Sequence, residues 1–256
     1  MYMMNLMSMM TVVMRYVYRS YGYRSAGSGN YGTYLLMTLA VILIPLIAQI
    51  NVKSTFSKYS QVRNLKGLTA DQVARMILDS NGLYNVRVEH VSGKLTDNFD
   101  PRTNVVHLSD SVYGNSSVAA IGVAAHECGH ACQHAEEYGP IMLRAKLVPI
   151  TNICSTLWYF ILIIGLLLSS LSIGTTLVYI SIIMFAAVVV FQLVTLPCEF
   201  NASDRALNTL ESSGILEMQE IPHARKVLKA AALTYVASLL ASIIQLVRLL
   251  MSTRRR

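Results

Sequence analysis

Residues 147–196 have the sequence LVPITNICSTLWYFILIIGLLLSSLSIGTTLVYISIIMFAAVVVFQLVTL, which contains no Asp, Glu, Lys or Arg. A helix needs about 20 apolar residues to cross the hydrocarbon core of a bilayer, whereas helices of soluble proteins are usually apolar on one face only. We therefore predict two spanning helices, 147–173 and 174–196, joined by a tight turn near Ser172 and Gly174. The alternative is a pair of wholly buried helices in a soluble protein.

Two further apolar runs lie at 34–50, with Pro45 inside it, and at 230–251. The first reaches spanning length if it extends through Tyr31 or tilts. The whole chain is 54% hydrophobic and 14% charged, with a mean hydropathy of +0.46, against about 25% charged residues in an average soluble domain. These values exclude a disordered chain and favour a mainly α-helical membrane protein with four transmembrane helices.

The net charge of +7 and the pI near 9.3 suit either nucleic acid or an anionic membrane surface. The chain has no Lys/Arg-rich block with interleaved aromatic residues, so we predict the lipid bilayer as a partner and no nucleic acid. Four cysteines are too few for a disulfide-stapled scaffold.

The apolar runs divide the chain into eight predicted segments. They are a flexible Met- and Tyr-rich tail (1–30), transmembrane helix 1 (31–51), an α+β segment (52–146), transmembrane helix 2 (147–173), transmembrane helix 3 (174–196), a helical segment (197–229), transmembrane helix 4 (230–251) and a basic tail (252–256). Pro197 is expected to reset the backbone where the third run ends.

Residues 52–146 form the polar half of the protein. A capping box at 69–72 predicts a helix with an apolar stripe of Val73, Met76, Ile77 and Leu78. Alternation predicts strands at 86–89 and 104–109. A helix at 118–137 follows, capped by Asn115 or a following serine and ended by Gly139-Pro140. The order is helix, strand, strand, helix.

The last of these helices contains His126-Glu127-Cys128-Gly129-His130, an H-E-x-x-H motif. Positions four apart lie on one face of a helix, so both imidazoles can reach one zinc ion. Glu127 points beside the metal and can take a proton from a metal-bound water. The alternative is two core histidines held by hydrogen bonds, one of them paired with Glu127.

A catalytic zinc needs a third protein ligand and an open position. The candidates are His134, Cys128, Cys132 and Glu199. Glu199 is favoured because a ligand on a second helix converges more easily, and because a carboxylate so near hydrocarbon is expected to be functional. The alternative for Glu199 is an ion pair with Arg205. For stabilising an oxyanion, Tyr113, His107, His223 and Arg205 are equally available.

The motif, extended to Ala131-Cys132-Gln133-His134, and the stretch Glu199-Phe200-Asn201-Ala202-Ser203 resemble the bacterial neutral zinc metallopeptidase family of YugP-type membrane proteases. Residues 52–60, 122–125 and 230–237 add to this resemblance, which covers the chain from about Tyr31 to its last helix. A more distant likeness is to membrane gluzincins of the HtpX and CAAX-protease type, which use H-E-x-x-H and a later Glu in an E-F-x-A-D pattern. Here Ser203 stands four residues after Glu199, and Asp204 follows.

The resemblance implies one Zn²⁺ per chain, held by His126, His130 and Glu199, with Glu127 as catalytic base. It also implies a zincin-like metallopeptidase half between the first and second spans, and peptide or membrane-protein substrates. Four spans place 52–146 and 197–229 on one side of the membrane, as a shared metal site requires. We expect a multi-pass protein of the bacterial plasma membrane.

The side of the membrane follows from the Lys and Arg residues near the span ends. Ten lie on the side of the predicted site and six on the other, which favours a cytoplasmic active site. The predicted strand at 104–109, just before the motif helix, could be an edge that pairs with an extended substrate.

Besides a membrane-embedded zinc endopeptidase, two other functions stay open. One is a non-proteolytic membrane protein with a structural or regulatory metal site, and the other is a membrane scaffold without metal.

Overall fold

The computed structural model describes residues 29–253, so the predicted tails at 1–28 and 254–256 lie outside the described residues. The described part is mostly helical and holds one small three-stranded sheet. Its elements are α1 (Gly29–Tyr59), α2 (Ala70–Ser80), β1 (Arg87–Val91), β2 (Asn98–Asp100), β3 (Val105–Ser109), α3 (Val118–Ala135), α4 (Gly139–Leu167), α5 (Ser172–Ser212) and α6 (Ile221–Thr253).

Four of the helices, α1, α4, α5 and α6, are long and apolar enough to cross a membrane, as the four apolar runs predicted. Each begins before its predicted span, but α4 ends at Leu167, short of the predicted end at 173. The limits of the bilayer along these helices stay a prediction. The expected break at Pro197 is wrong, because α5 continues through it to Ser212. The hydroxyl of Thr195 and the thiol of Cys198 donate to carbonyls one turn earlier in this stretch, in keeping with the tolerance of proline in membrane helices.

The turns around α4 differ from those predicted. Gly139-Pro140 does not end the motif helix, which already ends at Ala135; it begins α4 instead, with proline in the first turn, where its missing N–H costs nothing. The connection between α4 and α5 is residues 168–171, so Gly174 lies within α5. A side chain at Gly174 would collide with the carbonyl of Leu168, which explains the glycine.

The polar half begins with α2, where the Gln72 side chain accepts a hydrogen bond from the Thr69 backbone N–H (3.1 Å), as the capping box predicted. Val73, Ile77 and Leu78 are buried, but Met76 is 46% exposed and does not belong to the stripe. These residues pack against α3, and they belong to one core with the C-terminal end of α5 and the N-terminal end of α6.

The sheet has three strands rather than two, in the order β1-β3-β2. β3 pairs in parallel with β1 and antiparallel with β2. The expectation that the strand at 104–109 forms an edge is therefore wrong, because β3 is the central strand. The antiparallel edge is β2, which is three residues long and was not predicted. The zincin-like character of this half stays a prediction.

Candidate metal centre

Two helices bring three potential metal ligands together. Ser117 caps α3 by accepting a hydrogen bond from Ala120 N–H, and the helix carries His126 and His130 one turn apart, while α5 carries Glu199. The Nε2 atoms of His126 and His130 lie 3.3 and 3.5 Å from Glu199 Oε2. One ligand atom from each residue falls within 4.8 Å of the other two, so a single ion could contact all three.

Glu127 lies beside this cluster and is 9% exposed. Its Oε2 accepts a hydrogen bond from the backbone N–H of Phe99 on β2 (3.1 Å). Burial raises the pKa of Glu127, against the opposing effect of His126 and His130. A carboxylate with a raised pKa is a better proton acceptor near neutral pH than an ordinary one.

The second nitrogen of each histidine also has a partner. His130 Nδ1 lies 2.9 Å from Gln133 Oε1, and His126 Nδ1 lies 3.2 Å from the Ser203 hydroxyl. Hydrogen bonds of this kind orient the imidazoles that bind zinc. Two imidazole nitrogens and one carboxylate oxygen form a usual catalytic zinc set, which leaves a fourth position open. The residues therefore fit a zinc ion.

The other predicted third ligands lie outside the cluster. His134 packs against the ring of Phe99, with ring centres 5.6 Å apart. The Cys128 thiol donates to Ala74 O on α2, and burial raises its pKa well above the usual value. Burial also raises the pKa of Cys132. Both cysteines thus favour the neutral thiol, whereas zinc binds the thiolate.

The ion pair proposed between Glu199 and Arg205 is not formed. Arg205 instead makes two 2.7 Å hydrogen bonds to Glu136. Glu199 is 2% exposed, and its Oε1 accepts from Arg144 Nη1 at 3.2 Å. The phenol of Tyr235, on α6, also lies near Glu199.

Arg144, Tyr235 and Gln133 were not among the residues that the sequence singled out for the site. Of the four candidates for oxyanion stabilisation, Tyr113 packs against His90, His223 stacks on Tyr59 and Arg205 is engaged with Glu136. The fourth, His107, lies on the central strand β3 opposite Asn98. Arg144 and Tyr235 come from other helices, which periodicity alone cannot place next to the motif, whereas Gln133 lies on the motif helix one turn after His130. A charged residue just before an apolar run is the one signal that could have pointed to Arg144.

Comparison with known proteins gives a consistent result. A family model described as "Putative neutral zinc metallopeptidase" matches residues 34–254. The chain is also 47% identical over 218 residues to "Putative membrane protease YugP" of Bacillus subtilis (strain 168), and the match covers 85% of this chain and 95% of that protein. No solved structure matches. A family of this description implies Zn²⁺ as the cofactor, and the apolar helices and the relative place the protein in a membrane. The chain belongs to this family of neutral zinc metallopeptidases.

Proposed function

We propose that the protein is a membrane-embedded, zinc-dependent endopeptidase that cuts peptide bonds at the membrane surface. The observation that supports this most is the convergence of His126, His130 and Glu199, from helices far apart in the sequence, beside a carboxylate that is not itself among the ligands. In this proposal the three residues hold the metal and Glu127 is the catalytic base.

Zinc in a site of this kind lowers the pKa of a bound water toward ~7 and polarises the scissile carbonyl. The Glu127 carboxylate accepts a proton from the attacking water and delivers it to the leaving amine nitrogen. The Phe99 N–H holds Oε2 of Glu127, so we assign the proton transfer to Oε1. Arg144 donates to Glu199 Oε1 at 3.2 Å and replaces Arg205, which is engaged with Glu136, as the cation we assign to stabilising the developing oxyanion.

The sheet offers a place for an extended substrate. β2 is an outer strand, and the N–H of its central residue, Phe99, points to Glu127. A peptide that lay along this edge would run past the catalytic carboxylate. The Phe99 N–H stays with Glu127, so the other outward backbone groups of the edge would bind the peptide backbone, with little dependence on sequence.

The depth of the site favours cleavage at the membrane surface. Glu199 is 27 residues after the first residue of α5, which corresponds to roughly 40 Å along the helix axis. The hydrocarbon core is about 30 Å thick. Glu199 therefore lies near the headgroups, where the flanking segments of membrane proteins are accessible. The excess of Lys and Arg on this side favours the cytoplasmic face.

The test compares wild-type protein with Glu127→Gln, which is nearly isosteric but cannot accept the proton. We expect the variant to retain zinc and fold, and to lose about 10²–10⁴-fold in hydrolysis. In cells, membrane proteins cut in the presence of the wild type should accumulate uncut with the variant. Zinc content of the purified protein and quantitative proteomics of the membranes measure the two effects.

His130→Ala is the matched control, because it should lose zinc and hydrolysis together. Equal cleavage by wild type and Glu127→Gln would remove Glu127 from the mechanism. Zinc bound by both proteins, with no cleavage by either, would instead favour a structural or regulatory metal site.

A further inference from the structure

Gln133 connects the histidine ligands of α3 to α5. Its side chain is completely buried. The amide oxygen lies 2.9 Å from His130 Nδ1, and the amide nitrogen donates to Cys198 O at 2.8 Å and to Asn201 Oδ1 at 2.9 Å. Gln133 thus uses both ends of its amide within one turn of two proposed metal ligands.

The direction of these hydrogen bonds follows from chemistry. A backbone carbonyl can only accept, so the amide nitrogen of Gln133 must face Cys198 O. Asn201 Oδ1 accepts from Arg205 Nε at 2.8 Å as well, which fixes that oxygen as an acceptor, since a guanidinium can only donate. A flipped Gln133 amide would bury oxygen against oxygen at both contacts, and buried acceptors without donors are costly.

The orientation of the amide determines the form of His130. The amide oxygen can only accept, so Nδ1 of neutral His130 must carry the hydrogen. The lone pair then lies on Nε2, the atom that faces Glu199. Ser203 does not constrain His126 in this way, because a hydroxyl can donate or accept.

We propose that Gln133 is a positioning residue that holds His130 in its Nδ1–H form, with Nε2 preset as the metal ligand. The proposal rests on the proposed role of His130 in the metal site. It concerns the binding of metal rather than proton transfer, so it can fail while the protease proposal stands. Gln133 would also tie α3 to the residue next to Glu199 and so fix the distance between the two ligand helices.

The first experiment compares the Zn²⁺ affinity of full-length wild type and Gln133→Met by competition with a chelator. Met has a similar volume but no acceptor for Nδ1. We expect its affinity to fall about 10–100-fold, the usual effect of losing the partner of a histidine ligand. Asn201→Ala is the matched control, because it removes one link to α5 and keeps the acceptor; its affinity should stay within about threefold.

The second experiment uses NMR of ¹⁵N-histidine-labelled, Zn²⁺-loaded wild type, so it does not depend on the folding of a variant. We expect His130 to bind through Nε2 and to keep a slowly exchanging Nδ1–H. Binding through Nδ1 would overturn the proposal. Unchanged affinity in Gln133→Met, or an equal loss in Asn201→Ala, would also overturn it, since the acceptor would then not be the group that matters.

Discussion

Glu199 presents its two carboxylate oxygens to different partners. Oε2 faces the two histidines, and Oε1 accepts from Arg144. A carboxylate buried this deeply is costly without a compensating positive charge. Arg144 provides that charge on one side, and a bound metal would provide it on the other. The metal-free protein should therefore depend on Arg144 more than the zinc-loaded protein does.

We predict that Arg144→Met destabilises the metal-free protein by about 2 kcal/mol and the loaded protein by less. Loss of one partner from a buried ion pair costs about 3–5 kcal/mol, and the Arg144 side chain is 31% exposed, which reduces the loss through solvent screening. Unfolding in detergent, with zinc and with a chelator, measures both values. Arg144→Lys keeps the charge and should lie between wild type and Met; equal losses in both metal states would contradict the prediction.

The residues of the site differ in how far the sequence could predict them. His126, Glu127 and His130 lie on one helical turn, so their spacing alone places them together. Glu199 was inferred from the cost of a carboxylate near hydrocarbon, and the structure places it at the cluster. Gln133 also lies on α3, but its role depends on the backbone of α5. Such a contact cannot be read from local periodicity.

The contact between α3 and α5 determines whether the ligands meet. Gly129 lies between the two histidines and faces the backbone of Ala202. A Cβ added at Gly129 would be 2.7 Å from Ala202 O and 3.2 Å from Ala202 Cα. Both are backbone atoms of a long helix and cannot move aside as the end of a side chain can. Any larger residue must therefore push the helices apart.

We predict that Gly129→Ala lowers Zn²⁺ affinity at least tenfold, because separating α3 from α5 moves Glu199 away from the histidines. The matched control is Gly122→Ala on the same helix, where the added Cβ would be at an ordinary 3.7 Å from Ala224. This control should bind zinc normally and gain stability from the better helix propensity of alanine, up to about 1 kcal/mol. Chelator competition and thermal unfolding test both variants, and normal zinc binding by Gly129→Ala would refute the prediction.

Long elements were easier to predict than short ones. The apolar runs and the capped motif helix have strong, repeated signals, and the corresponding helices are present. β2 is only three residues long and is followed by Pro101, so it has too few alternating positions to be recognised. The predicted break at Pro197 was wrong for a different reason. The local preference of proline against helix is outweighed there by the packing of α5 along its whole length.

The whole molecule has polar contacts at both ends of its helical bundle. At one end Arg248 donates to Thr38, joining α6 to α1. At the other end Lys58 and Lys226 lie 5.6 and 5.9 Å from the ring centre of Tyr59. Thr38 and Tyr59 are 21 residues apart, or about 30 Å along a helix. Residue 38 lies near 248 and residue 59 lies near 226, so α1 and α6 are antiparallel.

The last prediction concerns the topology in the membrane. The four spans place positions 38 and 248 on the side opposite the active site, and the active site faces the cytoplasm. Single cysteines would be introduced at Ser57, Ser172 and Thr253 in a background without the four native cysteines. A membrane-impermeant thiol reagent should label positions 172 and 253 in intact cells, and position 57 only after permeabilisation. The reverse pattern would place the active site outside and leave the architecture unchanged. Labelling of 57 and 253 from the same side would refute the architecture, because it requires an even number of crossings between them, whereas α4, α5 and α6 give three.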